Sequence, residues 1–159
     1  MKVGVLMGSA SDAEKMAKAT EVLEQFGLEP VVRVLSAHRT PDQVAEMARG
    51  ARDEGYVAFI CGAGMAAALP GVVAAHTTLP VVGVPLSGSP LSGADALHAI
   101  VQMPPGIPVA TVAIDGGRNA ALLVVEMLAI TDEGLAEKLA EERREMVRKA
   151  AEQNAEGTS

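Results

Sequence analysis

Aromatic residues are nearly missing from this chain: 159 residues include no Trp, one Tyr and two Phe. A core must therefore be assembled from Val, Ile, Leu, Ala and Met. Abundant Ala and Gly permit close helix–sheet and helix–helix approach. Few bulky anchors per chain lead us to expect further apolar burial by self-association. Cysteine is limited to Cys61, which excludes an internal disulfide and a thiolate metal cluster. The three His residues are scattered, and their spacing makes no case for a metal. No apolar run escapes interruption by Gly, Pro or charge long enough to read as a membrane span. No cationic leader precedes an apolar segment at the N-terminus. A soluble, cytoplasmic protein is the expectation. Positive charge is also short: 13 Lys and Arg face 20 Asp and Glu, a formal net charge of −7. That argues against binding nucleic acid, whose phosphate backbone needs clustered cations. A small phosphate ligand needs only local donors and stays open.

What the chain does hold is apolar sequence, 49% of its residues, enough for one domain with a sizeable core. β-rich apolar segments recur at Val3–Met7, Val31–Leu35, Val57–Cys61, Val81–Val84 and Val109–Ile114. Their continuous apolar character suits strands buried on both faces. Between them lie segments long enough for helices, so the spacing predicts an α/β fold with a central parallel sheet. Helices are expected from about Asp12 to Phe26, from Pro41 with Thr40 as N-cap, over Ala66–Ala75, over Asp95–Met103 and over about Arg118–Leu128. Gly27 can terminate the first. After Thr131 the composition turns charged, and Asp132 can cap a last helix carrying Leu135, Leu139, Met146, Val147 and Ala150. We thus expect an α/β domain over residues 1–130 and a C-terminal helix and tail over 131–159. That helix packs on its own subunit or reaches a neighbour.

Three loops follow strands and carry polar or glycine-rich sequence. In Gly8-Ser9-Ala10-Ser11-Asp12, Gly8 permits a tight turn and two hydroxyls precede the unpaired N–H groups of a helix start. Asp12 either caps that helix or accepts hydrogen bonds from sugar hydroxyls. The loop lacks both the Walker ending and the dinucleotide glycine pattern. In Ser36-Ala37-His38-Arg39-Thr40-Pro41, a proton-transfer group sits beside a permanent cation at a strand end. Strand ends are favoured ligand sites in open α/β sheets. His38 alone would more often be a structural or surface histidine; the adjacent cation and the strand-end position bring the functional and structural readings level. In the third loop, Gly62 and Gly64 allow close backbone approach to a flat ligand, with Ala63 and Met65 beside them. Cys61 reads as buried packing. His76 and His98 read as structural. Asp95 either caps its helix or orders the Gly88–Gly93 loop, and the Asp115–Asn119 turn reads as a helix cap.

Taken together, these motifs resemble the PurE family of purine biosynthesis, from Val3 through about Ile130. The resemblance adds Leu69-Pro70-Gly71, Leu79 through Pro85, Gly93 through Leu97 and Ile100 through Pro104 to the three loops. It implies a flavodoxin-like three-layer αβα sandwich and a homo-octamer with active sites at subunit interfaces. It further implies that Ser9, Ser11 and Arg39 engage a ribonucleotide phosphate, that Asp12 meets ribose hydroxyls and that Ser36 supports the phosphate region. Gly62, Ala63, Gly64 and Met65 would bound the substrate. His38 matches the family's acid/base histidine. The implied reaction converts N5-carboxyaminoimidazole ribonucleotide to its C4-carboxylated isomer through carbon dioxide, with no metal, biotin, ATP or nucleotide cofactor. Two departures are clear: Met65 replaces a glycine and Ala68 a histidine. The family's usual Gly-Ala-Gly-Gly-Ala-Ala-His-Leu-Pro-Gly reads here as Gly62-Ala63-Gly64-Met65-Ala66-Ala67-Ala68-Leu69-Pro70-Gly71. Ala68 can neither donate a side-chain hydrogen bond nor carry a proton.

Three other functions compete. The enzyme of the family's other branch carboxylates aminoimidazole ribonucleotide directly with dissolved carbon dioxide. A related carboxylase acts on another heteroaromatic nucleotide. A non-catalytic nucleotide-binding or scaffold protein uses the same fold. Products from the two aminoimidazole substrates separate these readings.

Overall fold

Five parallel strands form one sheet in the order β2-β1-β3-β4-β5. The computed structural model describes residues 1–156. The strands are β1 (Lys2–Met7), β2 (Glu29–Val34), β3 (Tyr56–Ala63), β4 (Val81–Pro85) and β5 (Ala110–Thr111). The helices are α1 (Ala13–Gln25), α2 (Pro41–Gly50), α3 (Leu69–His76), α4 (Ala94–Val101), α5 (Gly117–Ala129) and α6 (Glu133–Glu156). A 3₁₀ turn at Ala10–Asp12 precedes α1. The described chain divides into two compact units, one of residues 1–124 and one beginning at Val125.

The first unit contains the sheet. Residues 3–7 of β1 and 58–63 of β3 are buried, as continuous apolar strands of a two-sided parallel sheet should be. Leu6, Phe59, Cys61 and Ala63 share a core with Val44 and Ala48 of α2, Val73 of α3 and Ile100 of α4. The opposite face takes α1, which buries Met16, Ala19, Val22 and Leu23. Gly117, at the start of α5, lies against Lys15 and Ala19 of α1. Helices therefore cover both faces of the sheet.

Small residues set how closely these layers meet. A Cβ on Gly4 would lie 2.4 Å from Cδ1 of the fully buried Phe59 ring. The ring stacks on Tyr56 with centroids 5.6 Å apart and has no room to retreat. Gly4→Ala is expected to destabilise the protein by about 1–3 kcal/mol through overpacking, read as a lowered denaturant midpoint at unchanged slope.

Several elements differ from the sequence expectation. β5 is only two residues long, where the apolar run predicts Val109–Ile114. It is an edge strand that follows Pro104, Pro105 and Pro108, and prolines confine ladder pairing. The third helix starts at Leu69, not Ala66, with Pro70 tolerated in its first turn. α1 ends as expected: Gly27 takes φ +82° and donates to the Glu24 carbonyl.

In the second unit, Asp132 Oδ1 accepts the Leu135 N–H at 3.0 Å and caps α6. Arg143 pairs with Glu126 at 2.7 Å and Arg144 with Glu141 at 2.6 Å. Leu135 is buried, but Met146 and Val147 are exposed. Charged pairs three and four apart support the helix where its apolar residues find no cover. No helix among the described residues is long and apolar enough to cross a membrane.

Candidate active site

The strand order fixes which loops can meet. β1 lies between β2 and β3, so the chain leaves β1 first to one side and then to the other. Such a switch point opens a crevice at the carboxyl ends of the strands. Register brings Met7 beside both Val34 and Gly62, and Ala63 beside Pro85. The loops after β1, β2, β3 and β4 are consequently neighbours. They line a cleft of about 630 Å³, within the range of small-molecule sites.

The first loop is held by its own hydroxyls. Ser9 Oγ accepts from Ser11 N at 3.3 Å and from Ser11 Oγ at 2.8 Å, while Ser9 N donates to Asp12 Oδ2 at 3.2 Å. These reciprocal bonds form a capping box. The Ser9 hydroxyl still has its proton to donate, and the Asp12 carboxylate has acceptor capacity left.

The second loop is tied from behind. Thr40 occupies the N-cap position of α2 but makes no side-chain cap bond. Its hydroxyl turns back, accepting from Ser36 N at 3.0 Å and donating to Ser36 O at 3.1 Å. Ser36 Oγ in turn accepts from Arg39 N at 3.2 Å. This five-residue turn, Ser36 to Thr40, presents His38 and Arg39, both exposed, on the cleft wall. Arg39 Nη2 donates to Gly8 O at 2.7 Å and so bridges the first two loops. The other guanidinium N–H groups remain as a directed fork for an anion.

The third loop supplies Ala63, Gly64, Met65 and then Ala66 through Leu69 to the lining. Gly62 is not part of it. A Cβ there would point at Met16 Sδ, 2.5 Å away, so Gly62 allows α1 to seat on the sheet. Burial pushes the Cys61 thiol far up, which keeps it inert.

The fourth loop carries lining residues that sequence reasoning missed: Ser87, Gly88 and Ser89, with Lys15 of α1 facing them. Lys15 Nζ donates to Ser87 O, and to Ser87 Oγ at 3.0 Å. Ser87 donates through N and Oγ to Asp115, at 2.9 and 2.5 Å. Ser89 Oγ donates to Asp95 at 2.9 Å, so Asp95 orders this loop. A strand-end signal was present at Ser87, but its partners lie 28 and 72 positions away.

Partial burial disfavours the charged form of Asp115. The Ser87 hydrogen bonds and the Lys15 charge outweigh it and hold the carboxyl below its ordinary value. The resulting stabilisation is complete above the ordinary value of 3.8 and disappears as pH falls through the lowered folded value. Asp115→Asn should therefore lower the thermal midpoint at neutral pH by a small amount, since the pair is partly exposed. The difference from wild type should shrink below about pH 4, as measured by thermal melts across pH.

Nine of the ten sequence-proposed site residues thus line one cleft: Ser9, Ser11, Asp12, Ser36, His38, Arg39, Ala63, Gly64 and Met65. Lys15 and Arg39 face a single lining carboxylate, Asp12, in a chain of net charge −7. Asp115, 4.0 Å from Lys15, offsets that lysine, so an anionic ligand would be met by the directed donors of Arg39 and the loop hydroxyls rather than by a net positive charge. Among the described residues, no three His, Cys, Asp or Glu side chains group as metal ligands. His76 lies away from the cleft, with Nδ1 3.4 Å from Arg49.

The topology and this cleft define a doubly wound, flavodoxin-like α/β protein with a cleft of small-molecule size at its switch point. The particular family follows from comparison with known proteins. Residues 2–149 match the family model described as AIR carboxylase, and the chain belongs to that family. An N5-carboxyaminoimidazole ribonucleotide mutase of Pyrococcus abyssi is 53% identical over 147 residues, 92% of this chain and 84% of that protein. The mutase of Aquifex aeolicus is 55% identical over 137 residues, 86% of this chain and 82% of its own. The crystal structure of Treponema denticola PurE superposes with a TM-score of 0.86 at 29% identity, covering 98% of this chain and 97% of that one.

Proposed function

We propose that this protein is an N5-carboxyaminoimidazole ribonucleotide mutase of purine biosynthesis. One observation carries the reading: in a chain of this family, a single cleft combines anion donors with an imidazole and a sugar-sized carboxylate acceptor. The ribonucleotide phosphate sits against Ser9, Ser11 and Arg39, with Ser36 behind it. Asp12 accepts from ribose hydroxyls. Ala63, Gly64 and Met65 bound the heterocyclic end.

The reaction is a proton and carbon dioxide exchange within one ligand. The bond from the exocyclic nitrogen to its carboxylate carbon breaks, its electron pair stays on nitrogen, and carbon dioxide is released. C4 of the imidazole then attacks carbon dioxide and forms the new carbon–carbon bond. The C4 proton must leave and the nitrogen must gain one, so the net change is one proton moved from carbon to nitrogen. His38 performs both transfers, since a neutral imidazole accepts and returns a proton near physiological pH. Holding the carbon dioxide against C4 makes recapture effectively intramolecular, which supplies much of the rate.

We assign residues 1–130 to catalysis and 131–159 to packing within a cytoplasmic homo-octamer with sites at subunit interfaces. Exposed Val32, Val34 and Val101 offer apolar surface for such contacts.

The test is a parallel product assay on purified protein. Conversion of N5-carboxyaminoimidazole ribonucleotide to the C4 carboxylate without ATP is expected. Turnover only of aminoimidazole ribonucleotide with dissolved carbon dioxide would assign the direct carboxylase. Binding of both with turnover of neither would leave a nucleotide-binding protein.

A further inference from the structure

Met65 combines two features that do not belong together without a reason. Its backbone is left-handed, with φ +55°, a conformation that costs an ordinary L-residue energy and costs glycine none. Its side chain, a large apolar group, is 63% exposed. Packing on the protein's own core therefore explains neither the strain nor the residue. Strain held at a ligand site points towards function.

The surroundings say what that function is. The wall from Ala63 to Ala68 otherwise carries only methyl groups and a glycine. Leu69 is buried and turned into the core. The remaining loops contribute hydroxyls, Lys15, Arg39, Asp12 and His38. Among the described residues, Met65 is thus the one long apolar side chain lining the cleft that is exposed. A flexible thioether adapts to the shape beneath it and stacks favourably on a flat ring.

We propose that Met65 is the specificity-determining cover of this cleft. Its side chain lies over the heterocycle and keeps water out and released carbon dioxide in. The inference rests on the mutase reading and deepens it: Met65 decides how much substrate completes recarboxylation and how much leaks. Ala68, which offers no polar group, leaves this apolar cover as the main barrier on that side.

The experiment measures partition. Wild type, Met65→Gly and Met65→Leu are each given N5-carboxyaminoimidazole ribonucleotide. The C4 carboxylate is scored against free aminoimidazole ribonucleotide plus carbon dioxide, after subtraction of the enzyme-free decay. Met65→Gly should raise the leaked fraction roughly fivefold, as expected for losing part of a methionine's apolar cover. Met65→Leu should stay near wild type. Met65→Gly should melt no lower than wild type, because glycine accepts the left-handed backbone; a folding defect therefore cannot mimic the leak. An unchanged partition in Met65→Gly, or equal leakage in Met65→Leu, overturns the cover. A wild type that forms no C4 carboxylate overturns the mutase reading, and the cover with it.

Discussion

Replacing His38 by Asn is expected to lower kcat by about 10²–10⁴-fold, the usual worth of a positioned general acid–base group. Asparagine keeps a polar side chain at the turn but cannot take a proton and return it. The turn itself should survive, because its bonds run through Ser36, Arg39 N and the Thr40 hydroxyl, not through the imidazole. Binding of the phosphorylated product, measured by calorimetry, should change less than threefold or so, since neutral polar contacts at an exposed site contribute little. The decisive result is the split between the two measurements. Unchanged turnover in His38→Asn would remove proton transfer from this residue. A large loss of affinity with unchanged kcat would make it a binding group.

Arg39→Ala should show the reverse split. Arg39 Nη2 spends one bond on Gly8 O, and its other donors are free for a phosphate. Hydrogen bonds between charged groups contribute about 1.5–3 kcal/mol net, so affinity should fall roughly 10- to 150-fold. Two effects act together. The ligand loses a directed cation, and the first two loops lose the side chain that ties them. Arg39→Lys separates them, because an ammonium keeps the charge but not the planar fork. Partial recovery in Lys at low salt, fading as salt rises, would identify the lost charge as the main cause. Affinity unchanged in Arg39→Ala would place the anion elsewhere in the cleft, with Lys15 the next cation to test.

The legible part of this site was local. Ser9, Ser11, Asp12, Ser36, His38 and Arg39 each sit within a few residues of an apolar run, so a strand end and its chemistry are read together. The three loops that the sequence singles out line one cleft for that reason. Lys15 was not legible, because nothing in α1 distinguishes it from Lys18 until Ser87 is brought opposite. Asp115 reads as a cap by its Gly-rich neighbours, yet its carboxylate serves the loop after β4. Gly62 and Gly64 look equivalent in sequence. Gly62 lies inside β3 and meets Met16 under α1, whereas Gly64 follows the strand's end at Ala63 and lies at the cleft. Thr40 was placed correctly at the head of α2, but its hydroxyl had a second, nearer use in the turn.

The sequence by itself determined the alternation of buried strands with helices, the loop chemistry and the family likeness, since periodicity, turn residues and motifs act over short spans. Only the tertiary structure decided that four loops share one mouth, that Lys15 and Ser87 complete it, and that Met65 is exposed there on a left-handed backbone. Those are consequences of strand order, and strand order is settled by how both faces of the sheet are covered, which couples residues far apart along the chain.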